Sequence, residues 1–219
     1  MIKFSKVLRS LPLAALSVAA QAGAATPEFV DWTSINTTTD IAQGNIGAID
    51  IILSGTPIQS GNVDGTSTIF SDSAFTPSLA TSDDVELASY TIASLYTLSF
   101  SKSVSDPIFH IADLSTRVTF DGAAVALVSG NSCFTVSGNS IDGGGVSCAG
   151  NGTIQLSGTY TSIAFSAVDL IQSPPGGDGF YIQVGVSPVP EPATYALTLA
   201  GLFAMAGRVH RRRLARCQN

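Results

Sequence analysis

Residues 180–186 read Phe180-Tyr181-Ile182-Gln183-Val184-Gly185-Val186, with an apolar side chain at every second position. Successive side chains of an extended chain point to opposite faces, so this spacing puts Phe180, Ile182, Val184 and Val186 on one side and mixed residues on the other. That is the pattern of a half-buried β-strand. Similar runs occur at Gly47 to Leu53, Tyr90 to Phe100, Pro107 to Leu114, Arg117 to Phe120, Ala123 to Val128, Cys133 to Val136, Thr153 to Leu156 and Thr159 to Ala167. Clusters of Gly, Asn and Asp lie between them: Asn62 to Gly65, Asp121-Gly122, Gly130-Asn131, Gly138-Asn139, Asp142 to Gly145, Gly150 to Gly152 and Pro174 to Gly179. These are turn residues, each suited to a tight reversal of the backbone. Asp121-Gly122 between two short runs predicts a hairpin, because a type I′ turn needs positive φ at both central positions.

No stretch between residues 26 and 187 shows the helical period with caps. Many short strands with frequent turns predict an all-β body over 26–187, an antiparallel β-sandwich of jelly-roll-like kind. Residues 54–89, richer in Ser, Thr, Gly and Pro, read as long loops or edge strands. No repeat of fixed period is visible. At 219 residues the chain has room for one such domain and short additions.

Charge is segregated along the chain. Lys3, Lys6 and Arg9 stand at the start and Arg208, Arg211, Arg212, Arg213 and Arg216 at the end. Between residues 26 and 190 only Lys102 and Arg117 face fifteen carboxylates, a net charge of −13. A body without a basic patch has nothing to neutralise phosphates, which argues against a nucleic-acid partner.

Residues 1–25 combine a basic start, an apolar run from Leu11 to Ala20 and small residues at Ala20-Gln21-Ala22 and Ala22-Gly23-Ala24. This is the pattern of a cleaved secretory signal peptide, and the mature chain is expected to start between Gly23 and Thr26. The apolar run is too short for an uncleaved anchor, which needs about 20 residues. Export makes Cys133 and Cys148 candidates for a disulfide, with two free thiols as the alternative; Cys217 lies apart in the basic tail.

The body is poor in groups for catalysis. Its one histidine, His110, sits inside an alternating run, and a Ser-His-Asp arrangement with Asp106 or Asp113 would need carboxylates that regular alternation places on opposite faces. Paired carboxylates for glycoside hydrolysis are uninformative where acidic residues are so common. No Cys/His cluster has zinc-ligand spacing, and no metal or cofactor is expected. Thr81-Ser82-Asp83-Asp84 and Pro175-Gly176-Gly177-Asp178-Gly179 could offer calcium ligands, but ordinary turn chemistry explains them as well. The sequons at Asn36-Thr37-Thr38 and Asn151-Gly152-Thr153 imply exposed loops.

Residues 188–219 include Val189-Pro190-Glu191-Pro192, then fifteen uncharged residues from Ala193 to Gly207, then the arginine cluster with His210. An all-round apolar helix is buried in protein or lipid. Fifteen residues reach roughly 23 Å, short of the ~30 Å hydrocarbon core, so Arg208 would snorkel to one interface while Tyr195 sat near the other. Pro192 suits a first helical turn, and Glu191 complements the positive end of the helix dipole. The arginines place the tail in the cytoplasm and the body outside.

The three parts in this order, behind a signal peptide at the other end, closely resemble the PEP-CTERM sorting signal of exopolysaccharide-producing Gram-negative bacteria. The resemblance implies recognition of Pro190, Glu191 and Pro192 by an exosortase, a membrane-embedded transpeptidase. It implies that 193–207 is a temporary inner-membrane anchor and that Arg208, Arg211, Arg212, Arg213 and Arg216 stop transfer through the Sec translocon. The family shares this tail and varies before it, so the resemblance leaves the body's work open. The expectation is a non-enzymatic surface or extracellular-matrix protein associated with exopolysaccharide or biofilm. Two alternatives are a carbohydrate-binding module using Trp32, Tyr96, Tyr160 or Tyr181, since sugars stack on aromatic faces, and a secreted polysaccharide hydrolase.

Overall fold

The computed structural model describes residues 26–90, 92–145, 147–169 and 178–186. The signal peptide at 1–25 and the sorting signal at 188–219 lie outside these residues, as does most of the turn from Pro174 to Gly179. The described residues form strands and no helix. In chain order they are β1 (Glu28–Phe29), β2 (Asp31–Asn36), β3 (Ile41–Ile46), β4 (Ile49–Thr56), β5 (Ile58–Ser67), β6 (Ser82–Ser89), β7 (Ser94–Ser105) and β8 (Ile108–Leu114). There follow β9 (Arg117–Phe120), β10 (Ala124–Gly130), β11 (Thr135–Ser137), β12 (Ser140–Asp142), β13 (Gly150–Ser157), β14 (Thr159–Val168) and β15 (Asp178–Val186).

These strands make two antiparallel sheets. The seven-stranded sheet has the order β10-β13-β8-β15-β6-β5, with β1 also paired to β15. The eight-stranded sheet has the order β11-β12-β9-β14-β7-β4-β3-β2. Their facing sides share one hydrophobic core, a sandwich-like arrangement. Phe180, Ile182, Val184 and Val186 enter that core as the alternation implied, but the strand is not half-buried, since Gln183 and Gly185 on the other side are buried as well. Phe109, Phe120, Phe165 and Tyr96 pack there as stacked, tilted and edge-on rings.

The pairing follows a simple rule. Strands β6, β7, β8 and β9 lie antiparallel to β15, β14, β13 and β12 respectively. From β6 to β9 and from β12 to β15 successive strands alternate between the sheets. On one flank β2 of the eight-stranded sheet runs beside β5 of the seven-stranded sheet. Asp83 on β6 joins the two there: one carboxylate oxygen accepts the Trp32 N–H at 2.8 Å and the other accepts the Gly65 N–H at 2.6 Å.

Two expectations are corrected. Asp121-Gly122 does not close a hairpin, because β9 belongs to one sheet and β10 to the other. Gly122 has the positive φ of 64° that such a turn requires. Long-range pairing decides the partner instead: β9 lies between β12 and β14, and the Asp121 N–H donates to the Ala164 carbonyl at 2.8 Å. Residues 54–89 are also more ordered than loops. β5 is an edge strand, but β6 lies inside the sheet between β15 and β5. It is covered on both faces, so its side chains show no polar-apolar alternation.

Residues 68–81, between β5 and β6, cross the outer face of the seven-stranded sheet. Phe70 and Phe75 form a second small core there with Ala112 of β8, flanked by Ile69, Leu79 and Tyr181. This loop is why β8 is buried on both faces.

Candidate functional site

His110 is the one titratable imidazole of the body, and its surroundings are built from five segments. It lies on β8, opposite Thr153 of β13 and Gln183 of β15. Phe29 of β1 stacks on it at 4.7 Å between ring centroids. Phe75 and Phe70 of the covering loop approach at 5.4 and 5.7 Å. The ring is 0% exposed. Thr76 N–H donates to Thr153 Oγ1 at 2.9 Å, and that hydroxyl lies 2.8 Å from His110 Nδ1. Thr153 Oγ1 accepts the Thr76 N–H and also bonds Nδ1, as donor or as acceptor according to the tautomer of the ring. Nε2 is buried without a hydrogen-bond partner. Burial lowers the imidazole pKa to about 4, against a smaller upward pull from the Pro77 carbonyl, which stands outside hydrogen-bond geometry. His110 is therefore a neutral, buried ring.

The carboxylates proposed beside it do other work. Asp106 Oδ1 accepts the Gly158 N–H at 2.8 Å, anchoring a turn. Asp113 is exposed, and its own N–H donates to Asn151 Oδ1 at 2.8 Å. The Ser-His-Asp arrangement is not assembled. Asp83 and Asp84 likewise belong to strand β6 and not to a calcium loop: Asp83 is occupied as described, and Asp84 Oδ1 accepts the Asn62 N–H at 3.1 Å. Among the described residues, no three His, Cys, Asp or Glu side chains are grouped to hold a metal ion. Burial and the nearby Asp31 raise the Asp83 pKa despite its two N–H donors.

Cys133 and Cys148 form a disulfide with Cα atoms 5.9 Å apart, in the range such a bond requires. Asn36 is the exposed last residue of β2, and its Oδ1 accepts the Thr38 and Thr39 N–H groups of the turn that follows. Asn151 departs from the expectation: it is half-buried in β13, with Oδ1 already bonded to Asp113.

The aromatic residues weighed as sugar platforms are mostly interior. Trp32 is fully buried, its indole N–H without a partner. Tyr96 is buried too, its hydroxyl shared between the Ala88 and Pro57 carbonyls at 2.6 and 2.8 Å. Tyr160 is half-buried, packs against the main core and donates its hydroxyl proton to the Ser157 carbonyl. Tyr181, also half-buried, lines the second core.

A different surface emerges on the outer face of the eight-stranded sheet. Strand register aligns Ser140, Thr119, Ser166, Leu95 and Thr56 in one row across five strands. A second row runs Ser162, Ser99, Ile52, Gln43 and Ser34. Both rows are uncharged, on a body that is otherwise strongly acidic. A groove of about 430 Å³ crosses the first row, lined by Leu95, Thr97, Thr119, Asp121, Asn139 and Ser166 among others. Leu95 is 68% exposed at its rim. Sequence reasoning missed this groove because hydroxyl residues at alternate positions look like any solvent face until register aligns them.

The chain matches no family model, no curated protein and no solved structure. What defines it is an all-β body of two antiparallel sheets, closed by a disulfide near one flank.

Proposed function

We propose that the chain is an exported, non-enzymatic surface or extracellular-matrix protein, sorted by an exosortase and associated with exopolysaccharide or biofilm. One observation carries this reading: the ordered tail of Pro190-Glu191-Pro192, apolar segment and arginine cluster, on a chain where eight of the ten lysines and arginines lie in the first nine residues or after Gly207. The Cys133–Cys148 bond adds support, because disulfides persist in oxidising compartments outside the cytoplasm. In this reading the Sec translocon exports the body, the inner membrane holds it briefly through residues 193–207, and cleavage delivers it to the cell surface or medium. The body is a jelly-roll-like sandwich, supported by the rolled pairing of β6 to β9 with β12 to β15. Intact mass from cells with and without the exosortase tests the route. The expected difference is loss of the arginine tail only where the enzyme is present; equal masses that both retain Arg216 end the proposal.

A second reading has the groove on the eight-stranded sheet bind a neutral glycan. It is supported by the uncharged hydroxyl rows with an exposed apolar Leu95 beside Asp121 and Asn139, a mixture that offers a sugar both a ring contact and hydrogen bonds. Binding on a glycan array that persists unchanged in Leu95→Lys would remove the groove as the site.

A further inference from the structure

We propose that residues 68–81 are an acid-released strap, latched across the seven-stranded sheet through Thr76, Thr153 and His110. The strap is a compact unit: the Leu79 N–H donates to the Phe70 carbonyl at 2.9 Å and Phe70 meets Phe75 edge-on at 5.2 Å. Ser129 on β10 donates its hydroxyl proton to the Ala74 carbonyl at 2.8 Å, and Thr153 on β13 receives the Thr76 N–H. The remaining hold is apolar, from Phe70 and Phe75 pressed against His110 and Ala112. None of the pairings of β8 with β13 and β15, or of β15 with β6, uses a strap residue. Lifting it uncovers the outer face while those ladders remain.

Under the strap the ring is held neutral by burial, not by the Thr153 bond. In the cation Nδ1–H can donate to the second lone pair of Thr153 Oγ1, so the cost falls on the buried charge and on Nε2. Nε2–H then lies between phenyl rings with no hydrogen bond, and the strap's own Pro77 carbonyl offsets the buried charge only in part. The titratable groups on the packed elements whose side chains are described are Glu28 beside Phe29, Asp72 in the strap, Asp113 on β8 and Tyr181 on β15; β13 has none, and the side chain of Asp178, at the start of β15, lies outside the described residues. None of them is a cause of the shift at His110, which comes from burial opposed by the Pro77 carbonyl. No carboxylate rescues the charge in place. Opening the strap hydrates the imidazole, so protonation and opening favour each other.

With the ring at about 4 when covered and 6.5 when free, strap opening grows about tenfold for each pH unit between these values. Hydrogen exchange of the full chain at pH 6.5 and pH 5, corrected for intrinsic rates, reads this directly. The expected result is an approximately 15-fold loss of protection at residues 68–81, with β7 and β14 unchanged. In His110→Gln the loss should vanish; His110→Phe keeps the pocket filled if the glutamine variant does not fold. Thr153→Val should weaken strap protection at both pH values. The proposal is overturned by a wild-type strap indifferent to pH, by equal loss in the His110 variants, or by strap and β14 losing protection together.

Discussion

Asp83 offers a quantitative test of how the two sheets are joined. The side chain is 6% exposed and accepts one N–H from each sheet, Trp32 on β2 and Gly65 on β5. The donors differ in what they can do without it. Trp32 is fully buried, so its N–H has no access to water once the carboxylate is gone, whereas Gly65 is exposed and can be solvated. An unpaired buried donor costs about 1–3 kcal/mol and an exposed one much less. Asp83→Ala should therefore cost about 3 kcal/mol once the small cavity is included. Asp83→Asn can keep its oxygen on Trp32 and turn its amide toward Gly65, and should cost about 1 kcal/mol. Urea unfolding reads the difference: with a slope near 2 kcal/mol per molar, the alanine midpoint falls by about 1.5 M and the asparagine midpoint by about 0.5 M. Burial raises the Asp83 pKa, so the folded state holds this proton more tightly than the unfolded chain. That contribution to stability is lost as pH rises through the raised value, and the gap between wild type and Asp83→Ala should narrow accordingly. If alanine cost no more than asparagine, the Trp32 N–H would not depend on Asp83 and the joint would lie elsewhere.

Three further outcomes follow from other parts of the molecule. Cys148→Ser opens a link spanning 15 positions and should lower the unfolding free energy by roughly 3 kcal/mol, measured against oxidised wild type; an unchanged midpoint would show that the bond contributes nothing. Because the His110 pKa is lowered to about 4 from 6.5, its neutral form supports the fold fully above 6.5 and that support is lost as pH falls toward 4. The total is about 3 kcal/mol, and acid titration of unfolding should be shallower by that amount in His110→Gln. Gly143→Ala would put a Cβ 1.7 Å from the Leu114 carbonyl oxygen, so the segment before Cys148 must shift. A loss of about 3 kcal/mol, or roughly 6–12 °C in melting temperature, is expected, and an unaltered melting curve would contradict that packing.

The strands that sequence reasoning recovered, such as 180–186 and 108–114, have a periodic pattern or a bounded apolar run. Those it missed lack both. Trp32 precedes a bulge before Ser34, which puts β2 out of step with a two-residue period. Ser82-Asp83-Asp84 resembles a loop because carboxylates are rarely buried, and only the backbone donors of two distant strands explain them. The Asp121-Gly122 turn shows the limit from the other side: local chemistry specified the glycine conformation, but not whether the chain would fold back or cross between sheets. The His110 site could not be read because its covering loop is 29 or more residues distant in sequence, and nothing in Ile69 to Leu79 announces what it will cover. The cysteine pair was legible from the export that the amino-terminal pattern led one to expect, not from its geometry.

The position of β15 has a consequence for the order in which the domain is made. It is the last described strand, yet it lies between β8 and β6, near the middle of the seven-stranded sheet. A chain emerging amino-terminus first carries β5 and β6 on one side and β8, β13 and β10 on the other, with no strand yet to join them. Cooperative closure must wait until residue 186 has left the machinery that delivers it. Premature truncation there would leave two unpaired edges where the finished domain has none. Emergence of β15 is thus itself the signal to close the sheet.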